Sequence, residues 1–116
     1  MSATFFYKTT CTTCRDARAI VRKLATDVLE RDYAKRPLTR GEVEQIVAAI
    51  GSVAAVLNTR HAIAKERGWK DKPPATVTFV SNVLQEPNLL RRPILLKGKR
   101  AVVGKDERAF KELLRG

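Results

Sequence analysis

The first third of the chain shows both hydrophobic periods that regular secondary structure produces. Residues 4–7 form a β-branched and aromatic run, which predicts a short strand. From Arg15 onward, apolar residues recur every three or four positions, which predicts a helix. The apolar positions of this helix are Ala17, Ile20, Val21, Leu24 and Ala25. Residues 28–33 are predicted as a second strand, so the chain opens as strand, helix, strand.

A second helix is marked at both of its ends. Thr39 takes the N-cap position and Glu42 follows three residues later, which is the spacing of a capping box. Gly51 ends the apolar pattern, because glycine enters left-handed backbone conformations easily. The buried positions predicted for this helix are Val43, Ile46, Val47 and Ile50.

The middle of the chain has a weaker pattern. Residues 53–57 and 60–67 predict two short helical segments. Residues 76–80 have the composition of a strand, but the two prolines at 73 and 74 are placed as a helix start. Four apolar residues that fit one helical stripe favour a helix here, namely Val77, Val80, Val83 and Leu84.

The last third predicts a hairpin followed by a helix. Residues 93–96 and 100–103 are predicted as strands, and the Lys-Gly-Lys segment at 97–99 indicates a tight turn. Residues 106–114 predict a terminal helix, with acidic residues at its start and Arg115 near its end. This order of elements is typical of an α/β fold in which helices surround a mixed sheet.

Length and composition restrict the class of protein. The 116 residues have the size of one domain, and we expect residues 1–116 to fold as a single one. Apolar runs such as residues 46–50 are far shorter than the ~20 residues of a membrane-spanning helix, so no membrane association is expected. The N-terminus lacks the pattern of a signal peptide, which predicts a cytoplasmic protein.

The charge is strongly positive and unevenly distributed. The chain has 23 Lys and Arg against 12 Asp and Glu, a net charge of +11. Residues 1–58 carry +3 and residues 59–116 carry +8. Such a surplus attracts an oxyanion, an acidic protein or nucleic acid, or serves solubility alone. Direct nucleic-acid binding is not expected, because no helix-turn-helix motif or basic stretch interleaved with aromatics accompanies the charge.

Two cysteines, Cys11 and Cys14, lie between the first predicted strand and helix. The start of a helix carries unpaired N–H groups and a partial positive charge, which favours an ionised sulfur. Arg15 and Arg18 add positive charge one turn further on. Cys11 is the predicted nucleophile, and the spacing allows Cys14 to resolve a covalent intermediate.

Other interpretations of these residues stay open. A Cys-x-x-Cys pair can be half of a zinc site, but a closed site needs four ligands, and His61 is the single histidine of the chain, so no metal is expected. Cys14 also fits a small buried residue on the apolar side of the helix. His61 and Trp69 are more typical of a helix residue and a core residue than of a binding site.

Several motifs in order along the chain carry a resemblance to a known family. They lie at residues 11–18, 30–39, 57–60, 89–94 and 100–104. With these motifs the chain resembles the ArsC/Spx family of thioredoxin-fold proteins, which includes glutaredoxin-coupled arsenate reductases and Spx transcriptional regulators. The resemblance implies a thioredoxin-like (glutaredoxin-like) α/β fold with a four-stranded mixed sheet and a helical insertion at about 38–88. It also implies a cis peptide bond at Pro93.

The resemblance implies a thiol-dependent reductase with Cys11 as nucleophile. Arg15, Arg60, Arg92 and Pro93 take the substrate-binding positions, where arginine suits an oxyanion because its planar fork presents paired donors. No cofactor is bound in such enzymes, and glutathione, a glutaredoxin or a thioredoxin donates the electrons.

The sequence departs from the reductase pattern in two places. Val103 and Gly104 stand where the reductases have a third arginine, and Tyr7 and Lys8 stand where they have a histidine. Both departures weaken the case for arsenate itself as the substrate.

An alternative is a redox-sensing regulator of the Spx type that binds RNA polymerase, with Cys11 and Cys14 as its switch. We expect such regulators to continue beyond the last helix, whereas this sequence stops at residue 116. A third reading is glutaredoxin-like disulfide exchange without oxyanion specificity.

Overall fold

The computed structural model describes residues 2–115, which divide into two compact units. The first unit contains residues 2–37 and 92–115, and we call it the cysteine unit. The second unit contains residues 38–91, and we call it the helical unit. It covers the predicted insertion at about 38–88, while the expectation of a single domain stays a prediction. No helix within residues 2–115 is long and apolar enough to cross a bilayer.

The elements follow the predicted order. The strands are β1 (Ala3–Tyr7), β2 (Leu29–Asp32), β3 (Ile94–Lys97) and β4 (Arg100–Val103). The helices are α1 (Thr12–Leu24), α2 (Arg40–Ile50), α3 (Val53–Val56), α4 (Ala62–Glu66), α5 (Thr76–Gln85) and α6 (Glu107–Arg115), with a 3₁₀ turn at Pro87–Leu89.

The cysteine unit is built on a four-stranded sheet with the order β2-β1-β3-β4. β1 and β2 are parallel, with Tyr7 opposite Asp32. β3 is antiparallel to β1, with Phe6 opposite Ile94, and β4 is antiparallel to β3. The sheet is therefore mixed, as predicted. Its topology brings the ends of β1 and β2 and the start of β3 to the same edge.

Helices α1 and α6 pack against the same face of this sheet. The buried cluster contains Ala3, Phe5, Tyr7, Cys14, Ala17, Val21, Leu95, Phe110 and Leu113. The rings of Phe5 and Tyr7 stack with centroids 5.4 Å apart, and Phe110 meets Phe5 edge-on at 6.3 Å. Alternate residues of β1 face this cluster because successive side chains of a strand point to opposite faces.

The β3–β4 turn is shorter than predicted. Lys97 pairs with Arg100, so only Gly98 and Lys99 lie between the two strands. Gly98 has a φ of 62°, the left-handed conformation that two-residue hairpin turns require.

Helix α2 of the helical unit has the predicted ends. The Thr39 hydroxyl accepts a hydrogen bond from the Glu42 N–H at 3.2 Å, and the Glu42 carboxylate accepts one from the Thr39 N–H at 2.9 Å. Gly51 follows with a φ of 88°, and its N–H donates to the Val47 carbonyl. The capping box and the glycine stop are both confirmed.

Residues 76–85 form a helix, as the apolar stripe predicted, although one member of the stripe is wrong. Val77 is 72% exposed, whereas Phe79, Val80 and Val83 are buried. Phe79, which was not part of the predicted stripe, shares the buried face with Val80 and Val83, as the helical spacing of these three residues allows.

Helix α1 starts earlier than predicted. It begins at Thr12 and has Cys11 as its N-cap, whereas the pattern placed its start at Arg15. The Arg15 N–H already donates to the Cys11 carbonyl at 3.1 Å, which closes the first turn. The apolar pattern missed this turn because polar threonines occupy it. Cys14 therefore lies inside the helix and not in the preceding loop.

Candidate functional site

Cys11 lies after β1 and is the N-cap residue of helix α1. Its N–H donates to the Lys8 carbonyl at 3.0 Å, which closes the short connecting loop. Its sulfur faces the first turn of the helix, where the Cys14 N–H and thiol and the Arg92 guanidinium are its neighbours. Cys11 is partly exposed, whereas Cys14 one turn later has no exposed surface, and both are free thiols.

The loop before Cys11 is held by Asp32 at the end of β2. One carboxylate oxygen accepts the Thr9 hydroxyl at 2.8 Å, and the other accepts the N–H groups of Thr9 at 3.4 Å and Ala34 at 3.0 Å. Burial raises the pKa of Asp32, but these bonds and the charge of Lys35 outweigh it, so the pKa lies below its usual value. Asp32 was not predicted as a site residue from the sequence. The available signal was its position at the end of a predicted strand.

The pKa values of the two cysteines are shifted in opposite directions. Burial is the largest influence on Cys14 and raises its pKa to about 11; the nearby Cys11 sulfur adds to this, whereas the Lys8 N–H opposes it. Burial also raises the pKa of Cys11, but hydrogen bonds from Cys14 and Arg92 and the Arg92 charge lower it below its usual value. Cys11 is therefore the thiol that ionises first, and Cys14 keeps its proton.

Arg92 is the charged partner of Cys11. It lies two residues before the start of β3, and its peptide bond to Pro93 is cis, as the resemblance implied. Burial lowers the pKa of the half-buried guanidinium, but a hydrogen bond to Cys11 and the nearby Tyr33 raise it overall. Arg92 thus lies beside Cys11, and substrate binding by Arg92 and Pro93 stays a prediction.

Arg15 and Arg18 were expected to supply the positive charge beside the Cys11 thiol, but their side chains have other partners. Arg15 donates to the Thr9 carbonyl at 2.7 Å and to the Thr12 hydroxyl at 3.4 Å, so it braces the loop. Arg18 lies over the Tyr7 ring at 5.3 Å and donates to the Tyr7 hydroxyl at 3.3 Å. The largest effects that lower the Cys11 pKa come from Cys14 and Arg92. The Cys14 N–H belongs to the helix N-terminus, so this part of the expectation is supported. Arg92 takes the place expected of Arg15 and Arg18, and substrate binding by Arg15 stays a prediction.

Arg60 belongs to the helical unit. Its N–H donates to the Asn58 side chain at 3.1 Å, and its own side chain is exposed. It lines an open cavity of about 420 Å³, together with Thr59, Ala64, Lys65, Gly68, Lys70 and Asp71. Its substrate-binding role stays a prediction.

His61 and Trp69 have structural positions, as expected. His61 caps helix α4, with its Nδ1 accepting the Ile63 N–H at 3.1 Å and its Nε2 3.9 Å from Glu86. Trp69 is buried, and the Arg67 guanidinium lies over its ring at 5.3 Å. Among residues 2–115, no group of three or more His, Cys, Asp or Glu side chains is arranged to hold a metal ion.

Tyr33 is a residue of the site that sequence reasoning missed. It follows β2 directly and is 4% exposed, and its N–H donates to the Tyr7 carbonyl at 3.0 Å. The charges of Arg92, Cys14 and Cys11 all act on its hydroxyl. The residues that the structure brings together are Cys11, Cys14, Tyr33, Arg92 and Pro93.

Comparison with known proteins agrees with this fold. A sequence model of the ArsC family matches residues 6–113. The chain belongs to the ArsC family. The global transcriptional regulator Spx of Streptococcus pneumoniae R6 is 31% identical over 111 residues, which cover 92% of this chain and 84% of the regulator.

Solved structures of ArsC-family and glutaredoxin proteins share the fold. An arsenate reductase from Vibrio cholerae superposes with a TM-score of 0.81 at 18% identity, covering 97% of this chain and 98% of that one. A glutaredoxin from Archaeoglobus fulgidus superposes with a TM-score of 0.50 at 16% identity, covering 98% of this chain and 86% of that one. The thioredoxin-like α/β fold with a four-stranded mixed sheet is confirmed.

Proposed function

We propose that this ArsC-family protein is a thiol-dependent reductase of the arsenate reductase-like class. The observation that supports this most directly is the asymmetry of the two cysteines. The pKa of Cys11 is lowered beside Arg92, while that of Cys14 is raised to about 11. A reactive thiolate next to a protonated thiol is what attack followed by resolution requires. Because this chemistry needs reduced thiols, we expect the protein to act in the cytoplasm.

The first chemical step is attack by the Cys11 thiolate. On a disulfide, Cys11 forms a new S–S bond with one sulfur, and the other sulfur leaves as a thiolate. On an oxyanion such as arsenate, Cys11 bonds to the central atom, and one oxygen leaves as water after protonation. Arg92 offsets the negative charge that accumulates at the site. Arg15 and Arg60 are proposed as further anion ligands on the resemblance alone.

The second step releases the reduced product. A thiol of Cys14, glutathione, a glutaredoxin or a thioredoxin loses its proton and attacks the Cys11 sulfur. With a disulfide substrate, the substrate sulfur leaves as a thiolate. With arsenate, the electron pair of the S–As bond stays on arsenic, which goes from pentavalent to trivalent. Attack by Cys14 leaves a Cys11–Cys14 disulfide, and attack by an external thiol leaves a mixed disulfide at Cys11. External thiols reduce either disulfide and so supply the electrons, and this scheme requires no bound cofactor.

The experiment that tests the enzyme proposal compares the two cysteines. Wild type, Cys11→Ser and Cys14→Ser are assayed by NADPH consumption coupled to glutathione and glutaredoxin, with arsenate and with a small disulfide as separate substrates. We expect Cys11→Ser to abolish turnover, because serine supplies no thiolate, and Cys14→Ser to keep turnover that depends on external thiol. If wild type consumes neither substrate, the proposal is wrong.

A second candidate function is redox-dependent regulation. The Spx regulator of Streptococcus pneumoniae is similar over most of both chains, and this favours a contact with RNA polymerase. Cys14 lies within hydrogen-bonding reach of Cys11, so a disulfide between them would act as the switch. Pull-down of RNA polymerase with oxidised and reduced protein tests this, with a Cys11→Ser, Cys14→Ser double variant as control. Equal recovery in both redox states contradicts a switch.

Glutaredoxin-like disulfide exchange is the third candidate, and the coupled assay separates it from oxyanion reduction. Turnover of the small disulfide with no turnover of arsenate would favour it. The replacement of a third arginine by Val103 is the sequence feature in its favour.

A further inference from the structure

The Tyr33 hydroxyl is a buried polar group without a hydrogen-bond partner among residues 2–115. The residue is 4% exposed, so water does not reach the oxygen from outside. Its backbone is well tied, since its N–H donates to the Tyr7 carbonyl in continuation of the β1–β2 pairing. Buried hydroxyls are nearly always bonded in folded proteins, so an unbonded one calls for an explanation.

The position of Tyr33 supplies one. The parallel pairing of β1 and β2 brings Tyr33 to the edge where the chain leaves β1 for Cys11. The antiparallel pairing of β1 and β3 brings Arg92, just before β3, to that same edge. The hydroxyl therefore lies at the place where the two cysteines and the guanidinium meet.

The Tyr33 hydroxyl is neutral at this place. Burial raises the pKa of Tyr33 above its usual range, and the two sulfurs raise it further, while Arg92 opposes both. The phenol consequently keeps its proton at physiological pH. The Arg92 guanidinium acts on the oxygen through its charge and as a donor, although no bond of standard geometry joins the two. What the hydroxyl lacks is an acceptor for its proton.

We propose that the Tyr33 hydroxyl is a positioning residue that donates a hydrogen bond to the Cys11 sulfur once this sulfur is ionised. The inference rests on the proposed function in one respect, the assignment of Cys11 as the thiolate. Cys14 keeps its proton, so its sulfur is a weaker acceptor than an ionised Cys11 sulfur. An acceptor that exists only in the charged state explains why the hydroxyl is unpartnered beside neutral thiols. It also means that the hydroxyl favours the ionised state over the neutral one.

A tyrosine serving only as core packing would behave differently. In that case its ring alone would matter, and phenylalanine would replace it with no effect on the cysteine. Removing an unpartnered buried hydroxyl while keeping the ring is expected to leave stability unchanged or slightly higher. Stability and thiol acidity therefore distinguish the two roles.

The experiment compares Tyr33→Phe with Tyr7→Phe in the reduced full-length protein. Tyr7 is the matched control. It is a residue of the neighbouring strand β1, and its hydroxyl already accepts a hydrogen bond from Arg18. Alkylation by iodoacetamide is followed from about pH 4 to about pH 10, and the rate at Cys11 is read from its own peptide by mass spectrometry. The melting temperature of each variant is measured alongside to establish that it is folded.

We expect Tyr33→Phe to raise the Cys11 pKa by roughly half a unit to one unit, so that the thiolate fraction below that pKa falls about three- to tenfold. Tyr7→Phe is expected to leave this pKa unchanged. Incorporation of 3,5-difluorotyrosine at position 33 keeps the ring and strengthens the donor, so it is expected to lower the Cys11 pKa. This second variant gives the answer if Tyr33→Phe does not fold.

An unchanged Cys11 pKa in folded Tyr33→Phe overturns the proposal, whatever its melting temperature. An equal rise in Tyr7→Phe also overturns it, because the effect would not belong to Tyr33. Alkylation requires no substrate, so the result is independent of the turnover assay. A wild type that reduces nothing rejects the enzyme proposal only, and an unmoved pKa in an active enzyme rejects the role of Tyr33 only.

Discussion

The cysteine unit and the helical unit differ in charge. The cysteine unit has sixteen basic and seven acidic residues, a net charge of +9, and the helical unit has seven and five, a net charge of +2. The cysteine unit contains both ends of the chain, so a division of the sequence at its midpoint separates its two parts. The difference in charge between the units is therefore visible only in the structure. The electrostatic attraction of anions is therefore concentrated on the unit that contains the thiols.

The two units also differ in what they bury. The helical unit buries mainly apolar side chains such as Val43, Ile46 and Phe79. The cysteine unit buries Tyr33 and Arg31, whose guanidinium donates to the carbonyls of residues 36 and 37 at 2.7 Å each. Buried polar groups are unfavourable unless paired, and they concentrate at functional sites. The buried tyrosine and arginine therefore lie in the unit that contains the thiols.

The largest expected effect comes from removing one core aromatic from each unit. Phe110 and Phe79 are both fully buried, and we expect Phe110→Ala and Phe79→Ala each to lower the free energy of unfolding by about 3–5 kcal/mol. Only Phe110→Ala should change the Cys11 pKa, because Phe110 packs in the cluster that contains Cys14. Urea unfolding and pH-dependent alkylation measure both quantities. If both variants change the Cys11 pKa equally, the two units do not differ in their influence on the thiol.

A smaller effect is expected from two arginines adjacent in sequence, one in each unit. Arg92→Met removes the charge beside Cys11, and we expect the Cys11 pKa to rise by about one unit, which slows alkylation below that pKa about tenfold. Arg91→Met removes the same charge from a side chain that donates to the Ala55 carbonyl. It should leave the rate unchanged. A similar loss in both variants would mean that net charge, and not contact, controls the thiol.

The smallest effect is expected at Asp32. Asp32→Asn keeps part of the bonding to Thr9 but loses the charge, so we expect a loss of about 1 kcal/mol of stability near pH 7. The pKa of Asp32 is lowered in the folded protein, so its contribution is present above the unfolded value of about 3.9 and is lost as pH falls through the folded value. The difference between variant and wild type should therefore vanish in acid.

The control for this prediction is Asp71→Asn, which removes an exposed carboxylate of the helical unit. Thermal unfolding from about pH 2 to about pH 7 is the measurement. A stability difference for Asp32→Asn that does not change with pH contradicts a role for the ionised carboxylate.

Local features of the chain were predictable from sequence. The capping box of Thr39 and Glu42 and the stop at Gly51 depend on neighbouring residues only, and the structure has them as predicted. The start of α1 was wrong by one turn, because threonines at 12 and 13 hide a helical turn from any apolar pattern. The prediction that Val77 is buried was wrong, because the helical period alone does not determine which face of a helix meets the core.

The sequence by itself determined the order of strands and helices, the mixed α/β class and the placing of Cys11 at a helix start, since periodicity, caps and turn residues act over a few positions. Only the tertiary structure decided that Arg92, and not Arg15 or Arg18, is the guanidinium that lowers the Cys11 pKa. It alone brought Tyr33 beside the thiols. The physical reason is that these contacts depend on the register of β2, β1 and β3, which joins residues more than twenty positions apart.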